Sequence, residues 1–200
     1  MALFSKRQKE KPAEAAQPAA PSRGAAPATK VNGAAPKLTE EQIQAGLARA
    51  QQVHASLGGI VSVMMRSPRY QTVTLGYLQA LVSPAIGTGQ FAIANAHDKE
   101  RGVAAPVALA LWASVSPEVD ARLSALGDQP MVLPMQDWRS DEIPWLMALV
   151  GDQRVVQPLL TNLQDKTFKG RALKARIKEN GKVVVRTLSP ATLLPEHLAL

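Results

Sequence analysis

Residues 57–93, LGGIVSVMMRSPRYQTVTLGYLQALVSPAIGTGQFAI, carry the punctuation from which the rest of the chain is read. Gly58-Gly59 reads as the end of a preceding helix, because glycine takes the left-handed conformation that closes one. Ile60–Met65 is a short apolar run, and Pro68 separates it from the next segment. Between Thr72 and Ile86, Val73, Tyr77, Ala80, Leu81 and Pro84 sketch one face of a second helix, closed by Gly87 and Gly89. Gln90–Ala94 is apolar again and reads as a strand. Helix, turn, helix and strand within so short a stretch predict a mixed fold.

Upstream, Thr39-Glu40-Glu41-Gln42 has the form of a capping box, and Ile43, Leu47, Ala50 and His54 mark a stripe at helical spacing. Downstream, Asn95–Gly102 is expected to be a polar loop, with His97, Asp98, Lys99, Glu100 and Arg101 together. Val103–Val115 reads as a strand covered on both faces, since its apolar run is nearly continuous. Ser116-Pro117-Glu118 opens a helix carrying Val119, Leu123 and Leu126, ending at Gly127. Met131–Met135 is expected as a strand, and Ile143–Val150 and Gln153–Leu163 as helices broken at Gly151. Asn180-Gly181 between Arg171–Lys178 and Lys182–Leu188 predicts a tight hairpin. The expectation is one α/β (α+β) layer domain over residues 38–190, preceded by an arm at 1–37 and followed by a tail at 191–200.

Two hundred residues with a hydrophobic share of 46% suffice for one domain with a real core. The absence of cysteine excludes a disulfide scaffold, a thiol nucleophile and a thiolate metal site. His54, His97 and His197 lack metal-ligand spacing, so no metal is expected. The net charge of +7 points at first toward nucleic acid, but it is unevenly placed. Residues 1–37 hold seven Lys and Arg against two Glu, with eleven Ala and five Pro, a composition expected to stay disordered. Residues 166–186 hold eight basic side chains against Glu179, and the stretch between the two blocks is mildly acidic. Only Phe168 interleaves with the second basic block, so nucleic acid is not the expected partner. Residues 103–115, the longest apolar run, are too few to span a bilayer and contain Pro106; a cytoplasmic protein is expected. No internal repeat, glycine-rich phosphate loop, G-x-S-x-G or H-E-x-x-H is present.

The order of residues from Gly58 to Ile93 resembles the toxin-activating lysine acyltransferases, the HlyC type that fatty-acylates RTX hemolysins. That family has a glycine-led turn, a short helix, Ser-Pro-x-His, a helix ending in Leu-Pro-Ala-Ile, and Gln-Tyr where a strand begins. The likeness resumes at Pro106-Val107-Ala108, Trp112-Ala113, Asp137-Trp138, Trp145, Gly151-Asp152, Arg171-Ala172-Leu173 and Gly181-Lys182-Val183, and so covers about residues 57–188. It implies a GNAT-like acyltransferase domain whose donor is an acyl carrier protein. The implied reaction carries a fatty chain from the carrier's thioester to lysine amines of an acceptor such as an RTX toxin. No bound cofactor is implied, and a homodimer is left open.

The sequence departs from the family at its chemistry. The family's catalytic histidine falls on Tyr70, in Ser67-Pro68-Arg69-Tyr70, and its catalytic aspartate falls on Ala148. Imidazole titrates near 6.5 and accepts a proton at neutral pH, whereas a phenol near 10 does not unaided. Tyr70 and Ser67 are the candidate catalytic residues, with Tyr70 able to protonate a departing thiolate; their plain alternatives are a half-buried tyrosine and a cap. Trp112 and Trp145 read as core, and His97 as solvated. Alternation puts Lys174, Arg176 and Lys178 on one strand face, with Arg171 out of phase. With Lys182 they form a candidate docking surface for an acidic carrier, or else a solvated sheet face. Acyl transfer is the first expectation; a noncatalytic binding or regulatory protein with a degenerate site is the alternative.

Overall fold

A computed structural model describes residues 38–100 and 102–188; the expected arm at 1–37 and tail at 191–200 lie outside the described residues. The element order is α1 (Glu40–Met64), α2 (Leu75–Thr88), β1 (Phe91–Asp98), β2 (Val103–Val115), α3 (Pro117–Ser124), β3 (Ile143–Gly151), α4 (Gln153–Asn162), β4 (Leu173–Glu179) and β5 (Lys182–Leu188). The strands form one sheet in the order β1-β2-β3-β4-β5. Every neighbouring pair is antiparallel except β3 and β4, which run parallel and are joined through α4. The mixed class expected from the sequence is the one adopted.

Both sheet faces are covered. Leu109, Leu111, Ala113 and Val115 of β2 and Trp145 of β3 share one cluster with Ile60 and Val63 of α1, Leu81 and Val82 of α2, and Val119 and Leu123 of α3. Ala110, Trp112, Leu146, Leu173, Ala175 and Ile177 share a second with Leu160 of α4 and Phe168. Trp112 and Trp145 are both core residues, Trp112 standing edge-on to the Phe168 ring at 5.6 Å.

Several sequence expectations need correction. Gly58-Gly59 does not end α1, which runs on to Met64. A Cβ on Gly59 would meet Ile93 Cδ1 at 3.2 Å, so this glycine serves close helix–strand packing rather than termination. Burial of Ser56, Ile60, Val63 and Met64 offsets the roughly 1 kcal/mol that each glycine costs the helix. Ser67-Pro68 caps no helix; it lies in the turn after α1, and Thr74 caps α2 by accepting from Tyr77 N–H. The polar segment after Asn95 is not all loop: β1 continues to Asp98 beyond a register shift at Ala94/Asn95, its exposed end tolerating polar side chains. Met131–Met135 is not a strand but leads into a 3-10 turn, Met135–Asp137. Pro130 and Pro134, which bracket it, lack the N–H groups a ladder needs. Ile143–Val150 is a strand and not a helix, because its uninterrupted apolar run is buried between β2 and β4. Gly151 ends it at φ 139°, where a Cβ would stand 2.5 Å from Ala108 Cβ, so only glycine fits.

The hairpin is as expected: Asn180 and Gly181 both have positive φ, and β4 and β5 pair from Glu179↔Lys182 to Leu173↔Leu188. α3 is fastened across the parallel pair by polar bonds. Asp120 accepts from Trp145 Nε1 at 2.7 Å, and both of its oxygens accept from Lys174 Nζ at 2.8 Å. Asp120→Ala leaves a buried indole N–H and a half-buried ammonium without their acceptor. Denaturant unfolding should show a loss of about 2–3 kcal/mol with an unchanged m-value.

Candidate active site

The parallel strands hold register only at Trp145↔Lys174 and Leu146↔Ala175. Toward their C-terminal ends they part, and a cavity of about 480 Å³ opens there. Met147 of β3 and Arg176, Ile177 and Lys178 of β4 line it, with Arg69 and Tyr77 from the helical layer and the Asp128–Met131 loop as the opposite wall. A shift of β2–β3 register at Leu111/Trp112 turns Met147 and Ala148 to the same face, as a bulge does when it re-aims a side chain.

Tyr70 lies in the turn between α1 and α2, packed in the same cluster as Met147 and Ala148. It is 6% exposed, and Arg69 stands over its ring at 5.9 Å. Burial pushes its phenol up to about 12, only partly opposed by the Arg69 guanidinium. Tyr70 therefore stays protonated at neutral pH and cannot serve as a base. Giving its proton to a thiolate of ordinary pKa near 8.5 is uphill by about 3.5 pK units, roughly 5 kcal/mol. Ala148 is fully buried among apolar neighbours.

The five basic residues of the hairpin are in different situations. Lys174 is tied to Asp120 and lies 6.0 Å from the Trp145 ring. Arg176 is buried and donates to Gly127 O and, at 2.8 Å, to Gln129 O. Burial lowers its pKa, which the Asp128 carboxylate partly offsets. Arg171 donates to Glu142 O and Phe168 O and pairs with the Glu142 carboxylate at 3.3 Å. Lys178 and Lys182 are exposed, and Lys178 also lines the cavity. Lys174, Arg176 and Lys178 do share a strand face, but two of the three are spent on holding the protein's own loops.

The sequence reading missed Asp128, the carboxylate lining this cavity, whose Oδ1 accepts from Val183 N–H at 3.0 Å. It also missed Tyr77 and Met147 as lining residues. Nothing local marks Asp128, since its partner is 55 residues away and meets it only when the hairpin returns. Among the described residues no three His, Asp or Glu side chains gather as a metal site, and no helix is long and apolar enough to cross a membrane.

The candidate site is thus a cleft where the one parallel strand pair of a mixed sheet divides. The chain belongs to the RTX toxin acyltransferase (HlyC) family, whose model matches residues 49–189. No curated protein matches the chain. A crystal structure described as histone acetyltransferase HPA2 and related acetyltransferase from Corynebacterium glutamicum aligns over 64% of this chain and 73% of that one. Its identity is 15% and its TM-score 0.36, a likeness too slight to add weight.

Two measurements check this geometry. Because the raised phenol pKa lets the unfolded chain ionise first, stability is full below pH 10 and falls as pH rises from 10 toward 12. The Tyr70 contribution to that fall should be about 2–3 kcal/mol, absent in Tyr70→Phe when denaturation midpoints are followed across this window. Arg176→Ala removes the donors that hold the cavity wall, so hydrogen exchange across 127–131 should quicken at least tenfold while the β2–β3 core stays protected.

Proposed function

We propose that the protein is a protein-lysine acyltransferase of the cytoplasm, using an acyl carrier protein as donor and an acceptor protein such as an RTX toxin. The observation that carries this reading is the cavity between the diverging β3 and β4. Arg69, Arg176 and Lys178 give it positive charge suited to a carrier's phosphate and acidic helix. Met131, Met147, Ile177 and Val183 give it apolar walls suited to an acyl thioester arm. Carrier docking then centres on Lys178 and Lys182, the exposed cations at the hairpin end, with Lys174, Arg176 and Arg171 shaping the ground beneath them.

In the proposed reaction an acceptor lysine ammonium first loses one proton to water, and the Asp128 carboxylate, lining the cavity, holds the resulting amine in place by accepting its N–H. The free amine attacks the thioester carbonyl carbon, the C–N bond forms and the C–S bond breaks. The second amine proton leaves with the departing sulfur, so acylated lysine, carrier thiol and one solvent proton result. Tyr70 and Ser67 are in this reading residues of the supporting turn, the phenol keeping its proton throughout.

A second reading has one specific observation in its favour: the two family positions for base and aspartate hold a buried phenol and a methyl group. Under it the cavity binds a carrier or partner and performs no transfer. Purified protein incubated with carrier loaded with a labelled fatty chain, plus an acceptor, separates the two. Transfer to lysine is expected, reduced about ten- to a hundredfold in Asp128→Asn and little changed in Tyr70→Phe. Saturable carrier binding with no transfer would establish the second reading instead, and a steep salt-dependent affinity for DNA with neither would overturn both.

A further inference from the structure

We infer that the acceptor polypeptide is held as an added β-strand on the free edge of β5, which delivers its lysine to the cavity in an extended segment. The inference rests on the acyltransferase reading for what the segment is, and on strand geometry for how it is held.

Alternation along β5 identifies the open groups. Asn180-Gly181 is a two-residue turn with positive φ at both positions, which makes Glu179↔Lys182 a hydrogen-bonded pair. Bonded and non-bonded pairs alternate from there. Val184, Arg186 and Leu188 therefore bond β4, while Val183, Val185 and Thr187 turn their N–H and C=O groups away from it. Val183 fixes the phase, since its N–H donates outward to Asp128 Oδ1. β5 is the last strand of the sheet. Among the described residues no backbone bond reaches Val185 or Thr187 on that side.

The edge lacks the devices that ordinarily protect one. Val183-Val184-Val185 carries no charge and no proline, and the β4–β5 register has no bulge. The opposite edge, β1, is interrupted by its register shift at Ala94/Asn95. An open, regular edge accepts an extended polypeptide through its main chain.

Position indicates the occupant. Val183 lines the cavity, and so does Asp128, which holds its N–H. Val185 lies on the same sheet face, packed against the first core cluster. A segment antiparallel to β5 exchanges both bonds with Thr187 and both with Val185, then stops pairing at Val183, whose donor is taken. Two residues beyond the one opposite Val185, about 7 Å along the strand, its side chain stands on the cavity face beside Asp128. A lysine at that place is where the reaction needs it. A second copy fits worse. Twofold pairing that uses both Val185 and Thr187 brings Arg186 directly opposite the partner's Arg186, like charges in the closer kind of cross-strand pair. A nucleic acid has no row of peptide N–H and C=O groups to offer the edge.

The probe is a soluble, end-blocked peptide of alternating threonine and serine with a single lysine, added to the full-length protein. At about 1 mM it should slow hydrogen exchange of the Val185 and Thr187 amides roughly tenfold. N-methylation of the peptide residues two and four before the lysine removes the donors that face β5 and should abolish this protection. N-methylation of the residues one and three before it, which face away, should not. Thr187→Pro removes only an outward N–H, a change that an edge strand tolerates. It should raise KM for the peptide roughly tenfold while KM for the loaded carrier and the circular dichroism stay unchanged. Protection without transfer supports the pairing and counts against the reaction alone. Absence of protection, with or without transfer, overturns the pairing, as does equal loss from both methylated peptides. Slow exchange of the two amides before peptide is added, as pairing with residues 189–200 or with a second copy would give, also overturns it.

Discussion

The fold turns on the short contact between β3 and β4, the place where an otherwise antiparallel sheet becomes parallel. Parallel neighbours need a crossover, and α4 supplies it on one face. The pairing lasts for two residues on each strand, so backbone hydrogen bonds alone hold it weakly. The Asp120–Trp145–Lys174 bonds lie at that spot, tying α3 to the first residue pair of the register. Where this support ends the strands part, and the parting creates the cavity. Site and structural weakness are therefore the same feature, held from one side by a buried polar knot.

The opposite wall of the cavity depends on a second knot. Arg176 reaches out of β4 to two carbonyls of the loop after α3, while Asp128 of that loop takes a hydrogen bond from Val183 of β5. Each partner satisfies a group that would otherwise be stranded, since the hairpin edge has an open N–H and the guanidinium is largely out of water. A basic strand whose composition suits an external partner is thus used largely inside. Basic composition overstates the outward field, and two lysines at the hairpin end carry what remains of it.

Much of the fold was legible in the residues. The capping box at Thr39, the long strand over 103–115, the Ser116-Pro117 helix start and the Asn180-Gly181 turn all depend on chemistry within a few positions, and all are present. The errors fell where distant contacts outrank local preference. An apolar octet such as Ile143–Val150 suits either a buried helix or a buried strand, and only its neighbours on both sides choose between them. Gly59 suits a helix end or a close contact, and Ile93 chooses. The candidate site was legible only through the family resemblance, which drew attention to Tyr70, but the burial that keeps Tyr70 protonated is a property of its surroundings.

By itself the sequence determined the class of the domain, its family, and the caps that open α1 and α3. These depend on residue identity and short spacing, which act before the chain folds. Tertiary structure alone decided that Lys174 and Arg176 of the basic hairpin bond the protein's own loops, that Asp128 meets a cavity, and that β3 is a strand. Each of these rests on contacts between residues tens of positions apart, and no local pattern encodes which distant group will arrive.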